Sequence, residues 1–189
     1  MSTLLHVCCA PCLIYPVSVF KEEGYDFSGY FYNPNIHPFR EFKKRLDSLR
    51  LFASEQAITI VYDQDYGLRD FLRAVVFKES QRCRYCYRTR LEKTARMAID
   101  KGYDSFSSTL LYSRYQNHGS IIQQAQELEQ QLSIPFFYRD FRNGWQRGID
   151  LSITQNLYRQ SYCGCIYSEQ ERYDKKRKKE LKKETKANV

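Results

Sequence analysis

Two rhythms of apolar residues alternate along the chain. Short apolar runs occur at Thr3–Cys9, Asp26–Tyr32, Ala57–Tyr62, Ser105–Leu111 and Ile134–Tyr138. Their length and their β-branched and aromatic content are those of buried strands. Between them, apolar residues return every three or four positions, as on one face of a helix. Leu13, Val17 and Phe20 follow Pro11, a residue suited to a first helical turn. Phe39, Phe42, Leu46, Leu49 and Phe52 predict an amphipathic helix with Arg40, Lys43, Lys44 and Arg45 facing out. Residues 67–77 read as a further helix. A turn carrying Cys83 and Cys86 precedes one that runs through Leu91, Ala95 and Ala98 and closes at Gly102. Ser120 and Gln123 form a capping box for a helix through Ile121, Ala125, Leu128 and Leu132. The pattern from Gly144 to Tyr158 is weaker, and a last helix is expected from Ser168 into the tail.

Strand alternating with helix predicts βαβ units: an α/β fold whose mostly parallel sheet has helices on both faces. Such sheets bind ligands at the carboxyl ends of their strands. The loops expected there are unusual. They are HVCCAPC after the first strand, NPNIHP (Asn33 to Pro38) after the second, LLYSRYQN (Leu110 to Asn117) after the fourth and YRDFR (Tyr138 to Arg142) after the fifth.

Composition narrows the class. The hydrophobic share of 42% is that of a globular protein. The amino-terminal residues lack the charged and apolar regions of a signal peptide, and no run approaches a membrane span, so the cytoplasm is the expected compartment and no membrane partner is expected. The net charge of +8 is uneven. Residues 175–189 hold eight basic residues against two acidic, a net +6, which leaves +2 elsewhere. The chain therefore divides into an α/β domain, 1–170, and a basic tail, 171–189. Lys175, Lys176 and Arg177 in that tail are candidate nucleic-acid contacts, set against a merely solubilising helical end.

The seven cysteines change the picture most. Cys8, Cys9 and Cys12 form one group, Cys83 and Cys86 a second, Cys163 and Cys165 a third. An odd number cannot all pair, and tight groups on separate loops point to metal or redox chemistry. Three readings remain open on spacing alone. Two C-x-x-C pairs suit a zinc site. Cys9-Ala-Pro-Cys12 between strand and helix suits thiol–disulfide exchange. Four thiolates suit an iron–sulfur cluster, with three thiols left beside it. Arg82, Arg84, Arg88 and Arg90 interleave with the second pair, where they favour anionic sulfur and also suit RNA phosphate.

HVCCAPC, YNPNIHPFREFKKR, CRYCYRTRLEKTA and YCGC, in this order over roughly residues 4–170, resemble the QueH family of epoxyqueuosine reductases. The resemblance implies a HUP-like three-layer α/β/α fold and reduction of epoxyqueuosine to queuosine at the tRNA wobble position, without cobalamin. It further implies that Cys8, Cys9, Cys83 and Cys86 hold a [4Fe–4S] cluster and that Cys163 and Cys165 bind a mononuclear iron; Cys12 is added as its third protein ligand. A donor of the ferredoxin or flavodoxin kind would deliver electrons, and the anticodon arm of tRNA would be the partner. His37, Tyr112 and Tyr115 lie in loops where a proton donor is needed, whereas His6 reads as a core residue. A zinc-stabilised RNA-binding module and a cytosolic thiol–disulfide oxidoreductase are the rivals.

Overall fold

The computed structural model describes residues 1–176. Four strands, β1 (Ser2–His6), β2 (Asp26–Phe31), β3 (Ile60–Tyr62) and β4 (Ser105–Ser108), form one all-parallel sheet in the order β3-β2-β1-β4. Leu4 of β1 registers with Ser28 of β2 on one side and Phe106 of β4 on the other. Among the described residues, the α-helices α1 (Ala10–Glu22), α2 (Phe39–Glu55), α3 (Leu68–Val75), α4 (Arg82–Lys101), α5 (His118–Leu132), α6 (Trp145–Thr154) and α7 (Ile166–Tyr173) connect and flank these strands.

The alternation of side chains along β2 fixes which helices cover which face. Phe27 packs at a tilt against Phe20 of α1, ring centroids 4.8 Å apart, and Phe31 meets Phe42 of α2 edge-on. Tyr32, of opposite parity, lies under Lys93 of α4. Helices α1 and α2 thus cover one face and α4 the other, with α5 packed on α4 and α6 on α1. The doubly covered α/β sheet expected from the sequence is present.

Several local expectations are corrected. Ile134–Tyr138 is not a fifth strand: it makes one bridge, Phe136 to Phe106. Pro135 has no N–H to extend that pairing. β1 stops at His6 because Cys8 N turns to the Thr109 hydroxyl, at 3.3 Å. β4 stops at Ser108, whose hydroxyl accepts from Leu110 N at 3.1 Å and starts a 3-10 turn over Thr109–Tyr112. Asn117, not Ser120, caps α5, accepting from Ser120 N at 3.0 Å. Cys83 and Cys86 lie in the opening turn of α4 rather than in a loop. The x-x spacing matches a helical turn, so both sulfurs face the same side. Gly102 closes α4 in the left-handed conformation, as expected. Helix α7 starts at Ile166 and runs through the boundary expected after residue 170. Arg177 and the rest of the tail lie outside the described residues.

Arg45 departs furthest from expectation. It points inward and is 1% exposed. Its Nε donates to Glu41, one turn earlier, at 2.7 Å, and its Nη1 and Nη2 donate to the carbonyl oxygens of Cys163 (2.8 Å) and Tyr162 (3.0 Å). Helical periodicity counts a basic residue as outward; a carboxylate one turn away and two loop carbonyls provide the partners that permit burial.

Candidate metal centre and substrate cavity

Because every strand runs the same way, the loops after β1, β2 and β4 meet at one edge of the sheet. Cys9 is the N-cap of α1, with extended backbone, and its side chain caps nothing. The sulfurs of Cys8, Cys9 and Cys12 all lie within 4.8 Å of one another, the Cys8–Cys9 pair at 3.6 Å. All seven cysteines are free thiols.

The second gathering comes from α4 and the loop before α7. Cys86 and Cys165 pack with Phe71 and Val75 in one apolar cluster, while Cys83 and Cys163 stay exposed. The charges of Cys163 and Cys165 are felt at both Cys83 and Cys86. Arg90 joins the two gatherings, sensing Cys86, Cys163 and Cys8 together.

The Cys163-Gly164-Cys165 loop is held from below by the loop after β2. His37 N donates to Gly164 O at 2.8 Å, and the Tyr162 hydroxyl donates to His37 O. Gly164 has φ +155°, and a Cβ there would lie 3.2 Å from Asn35 Nδ2. Cys165 opens α7, its sulfur accepting from Ser168 N at 3.4 Å.

Titration behaviour follows from crowding. Hydrogen bonds from the Cys12 and Cys9 thiols hold Cys8 well below the usual thiol range. Burial pushes Cys9 up, and the bond to Cys8 pushes Cys12 up. One charge is thus shared by three sulfurs; ionising all three needs a cation among them. Burial also pushes Cys86 up to about 12.

The donor set fits a soft metal centre. Gln160 Nε2 donates to Cys9 Sγ (3.1 Å) and Cys12 Sγ (3.7 Å), Gln116 Nε2 to Cys163 Sγ (3.1 Å) and Arg90 Nη2 to Cys86 Sγ (2.9 Å). Donors aimed at sulfur stabilise thiolate, the form that ligates.

A cavity of about 520 Å³ opens over these thiols. Cys8, Cys12 and Cys163 reach it, with Tyr112, Tyr115 and Trp145 along one wall and Arg159 and Arg172 also lining it. Tyr112 and Trp145 lie 5.0 Å apart by ring centroid, and the Tyr112 hydroxyl donates to Trp145 O at 3.0 Å. Two buried carbonyl oxygens on lining residues, Asn35 Oδ1 and Gln160 Oε1, have no hydrogen-bond partner. They are ready acceptors for a hydroxyl-bearing or cationic ligand.

Other expected site residues fall elsewhere. His37 does not line the cavity. It is 1% exposed, packed against Tyr66 and Phe71, with Nε2 donating to Pro34 O at 3.1 Å. It braces the loop, which removes it from proton donation. His6 is a core residue as expected, bonded to Ser108 and to Tyr32 O. Of the four arginines expected to meet RNA, Arg82 is paired with Glu171, and Arg88 with Glu92 and Glu127. Arg90 is buried, so it is not a surface contact. Arg84, Lys175 and Lys176 are exposed. Sequence reasoning missed Arg45, Gln116, Arg159 and Gln160. Gln160 stands three residues before Cys163, a proximity that marks it in retrospect, whereas nothing local marks Arg45.

Fold and site together define an α/β protein with a thiol-lined, metal-competent pocket at the carboxyl edge of a parallel sheet. A family model described as "Epoxyqueuosine reductase QueH" matches residues 3–171, so the chain belongs to that family of oxidoreductases of tRNA modification. A relative of that name from Dehalococcoides mccartyi is 38% identical, over 91% of this chain and 94% of its own length. One from Thermotoga maritima is 36% identical, over 92% and 93% respectively. Among solved structures, a chain from Methanocaldococcus jannaschii described as a "predicted subunit of tRNA methyltransferase" shares the fold. Its TM-score is 0.53 at 13% identity, covering 80% of this chain and 74% of that one. No helix among the described residues is long and apolar enough to cross a membrane.

Proposed function

We propose that this protein reduces epoxyqueuosine in tRNA to queuosine, in the cytoplasm, without cobalamin. Removing the epoxide oxygen to leave an alkene takes two electrons and two protons and releases water. A ferredoxin or flavodoxin supplies the electrons.

Cys8, Cys9, Cys83 and Cys86 would hold a [4Fe–4S] cluster, and Cys12, Cys163 and Cys165 a single iron beside it. The observation that carries this reading is the close approach of Cys8, Cys9 and Cys12, since a trio within 4.8 Å makes centres on either side of it neighbours. When bound, the iron supplies electron transfer and Lewis acidity for carbon–oxygen cleavage. The chain's own residues do the rest. Tyr112, Tyr115 and Trp145 offer aromatic faces to a splayed-out base. Asn35 Oδ1 and Gln160 Oε1 accept from the hydroxyls or the ammonium of the modified base. Burial keeps the Tyr112 phenol protonated, with that proton committed to Trp145 O. Arg84, Arg159, Arg172, Lys175 and Lys176 meet phosphates of the anticodon arm.

The test is iron and sulfide stoichiometry under anaerobic conditions, together with turnover of tRNA bearing the epoxide. Brown protein with iron, sulfide and turnover supports the reading. Colourless zinc protein that only binds RNA overturns it, as does activity that survives chelation and is lost only on alkylation.

A further inference from the structure

Among the described residues two arginines are buried, Arg45 and Arg90, and they differ in one respect. Arg45 has a carboxylate, Glu41, at 2.7 Å. Arg90, 2% exposed, bonds only to Cys86 through its guanidinium: Nε to the carbonyl oxygen at 3.1 Å and Nη2 to the sulfur at 2.9 Å. The groups whose charge it senses most are Cys86, Cys163, Cys8 and Tyr87, one cysteine from each of the three cysteine motifs. No carboxylate among the described residues pairs with it. A guanidinium stays charged when buried, and burial without an anion is strongly disfavoured. Among the described residues, the group in contact with its guanidinium that can supply that anion is the Cys86 sulfur, as thiolate.

We propose that Arg90 is a positioning residue that acts through the sulfurs: its fixed charge is the counter-ion of the thiolate-bound iron. The inference rests on the iron–sulfur reading above. Four thiolates around an oxidised [4Fe–4S] core leave it anionic, and each added electron makes it more so. A cation held against Cys86 therefore favours the reduced state and raises the reduction potential. The Nη2–Sγ bond also fixes the direction from which Cys86 presents its sulfur.

The experiment compares wild type, Arg90→Lys and Arg90→Met after anaerobic reconstitution. It reads iron and sulfide per chain, the potential by spectroscopic titration and the gain in melting temperature on loading. Wild type and Arg90→Lys are expected to load alike. Arg90→Met is expected to load less or to titrate at a more negative potential, with a smaller gain in melting temperature. Should Arg90→Met fail to fold by circular dichroism, Arg90→Gln takes its place under the same criteria. An unchanged potential and stoichiometry in the neutral variant overturns the proposal. So does equal loss in Arg90→Lys, which assigns shape rather than charge. A variant that loads normally and only flattens the salt dependence of tRNA binding assigns Arg90 to phosphate instead, which also overturns it. Wild type that takes up no iron sinks the iron–sulfur reading itself, a distinct outcome.

Discussion

Arg45 Nη1 donates to the carbonyl oxygen of Cys163 at 2.8 Å, joining positions 118 residues apart in the chain. The same guanidinium holds the Tyr162 carbonyl and is balanced by Glu41. Arg45→Met leaves the Glu41 carboxylate buried without its cation, with only the Tyr158 hydroxyl donating to it, and frees the cysteine loop. A loss of about 3–5 kcal/mol is expected in urea unfolding. Adding Glu41→Gln to that variant is expected to restore part of the loss. No restoration would mean that packing, not charge, is the source.

Gly164 tests the same loop from its backbone. With φ +155°, it sits where L residues are strained, and a Cβ would press on Asn35 and Ile36 at 3.2 and 3.3 Å. Gly164→Ala is expected to cost about 1–3 kcal/mol and to speed alkylation of Cys165, read by mass spectrometry. Unchanged protection of Cys165 would show that the loop tolerates another conformation.

Gly148 sets the place of Tyr112. A Cβ there would lie 2.2 Å from the Tyr112 oxygen, so the ring must leave the cavity wall. Gly148→Ala is expected to lower kcat/KM for modified tRNA at least about tenfold, or ~1.4 kcal/mol. Tyr112→Phe removes one hydrogen bond, at about 1 kcal/mol of stability, and keeps the wall, so KM is expected to hold. Equal losses of KM in both would assign the effect to the hydroxyl.

Burial lowers the His37 pKa to about 4, against 6.5 for the free side chain. Between pH 6.5 and about 4 the unfolded chain takes up a proton that the folded chain refuses. Stability therefore falls as pH drops through that window, by at most ~1.4 kcal/mol per pH unit per histidine. His6, also lowered to about 4 by burial, shares it. His37→Gln, which keeps a donor for Pro34 O, is expected to make the acid limb of a pH–stability curve shallower. An unchanged limb would show that His37 is not protonated on unfolding there.

Arg159 is exposed at the cavity. If it meets a phosphate, Arg159→Ala reduces the slope of log affinity against log salt by about 1 unit. An unchanged slope in filter binding or anisotropy would remove it from the interface.

The sheet was legible because β-strand and helix repeats differ in period, and the loops after β1, β2 and β4 inherit their shared edge from parallel strand direction; the loop at Tyr138–Arg142 does not, because no fifth strand precedes it. Strand ends were not. At Cys8 and Ser108, hydroxyl bonds replace ladder bonds, and such bonds join residues whose meeting no local pattern announces. The same limit explains Arg45 and Arg90: periodicity and charge put both at the surface, and their partners lie a helical turn away or at the far end of the chain. The C-x-x-C spacing of Cys83 and Cys86 serves a loop and a helix equally well, so it does not by itself tell the two apart.

The Cys8–Cys9–Cys12 trio is local to the first βα unit, while Cys163, which lines the same cavity, comes from beyond α6. During synthesis the trio leaves the ribosome roughly 150 residues ahead of the loop that completes the pocket. A nascent chain therefore exposes three neighbouring thiols long before it can enclose them. Any truncation short of residue 160 keeps the trio but loses Gln160, which donates to Cys9 and Cys12, together with the far wall of the cavity.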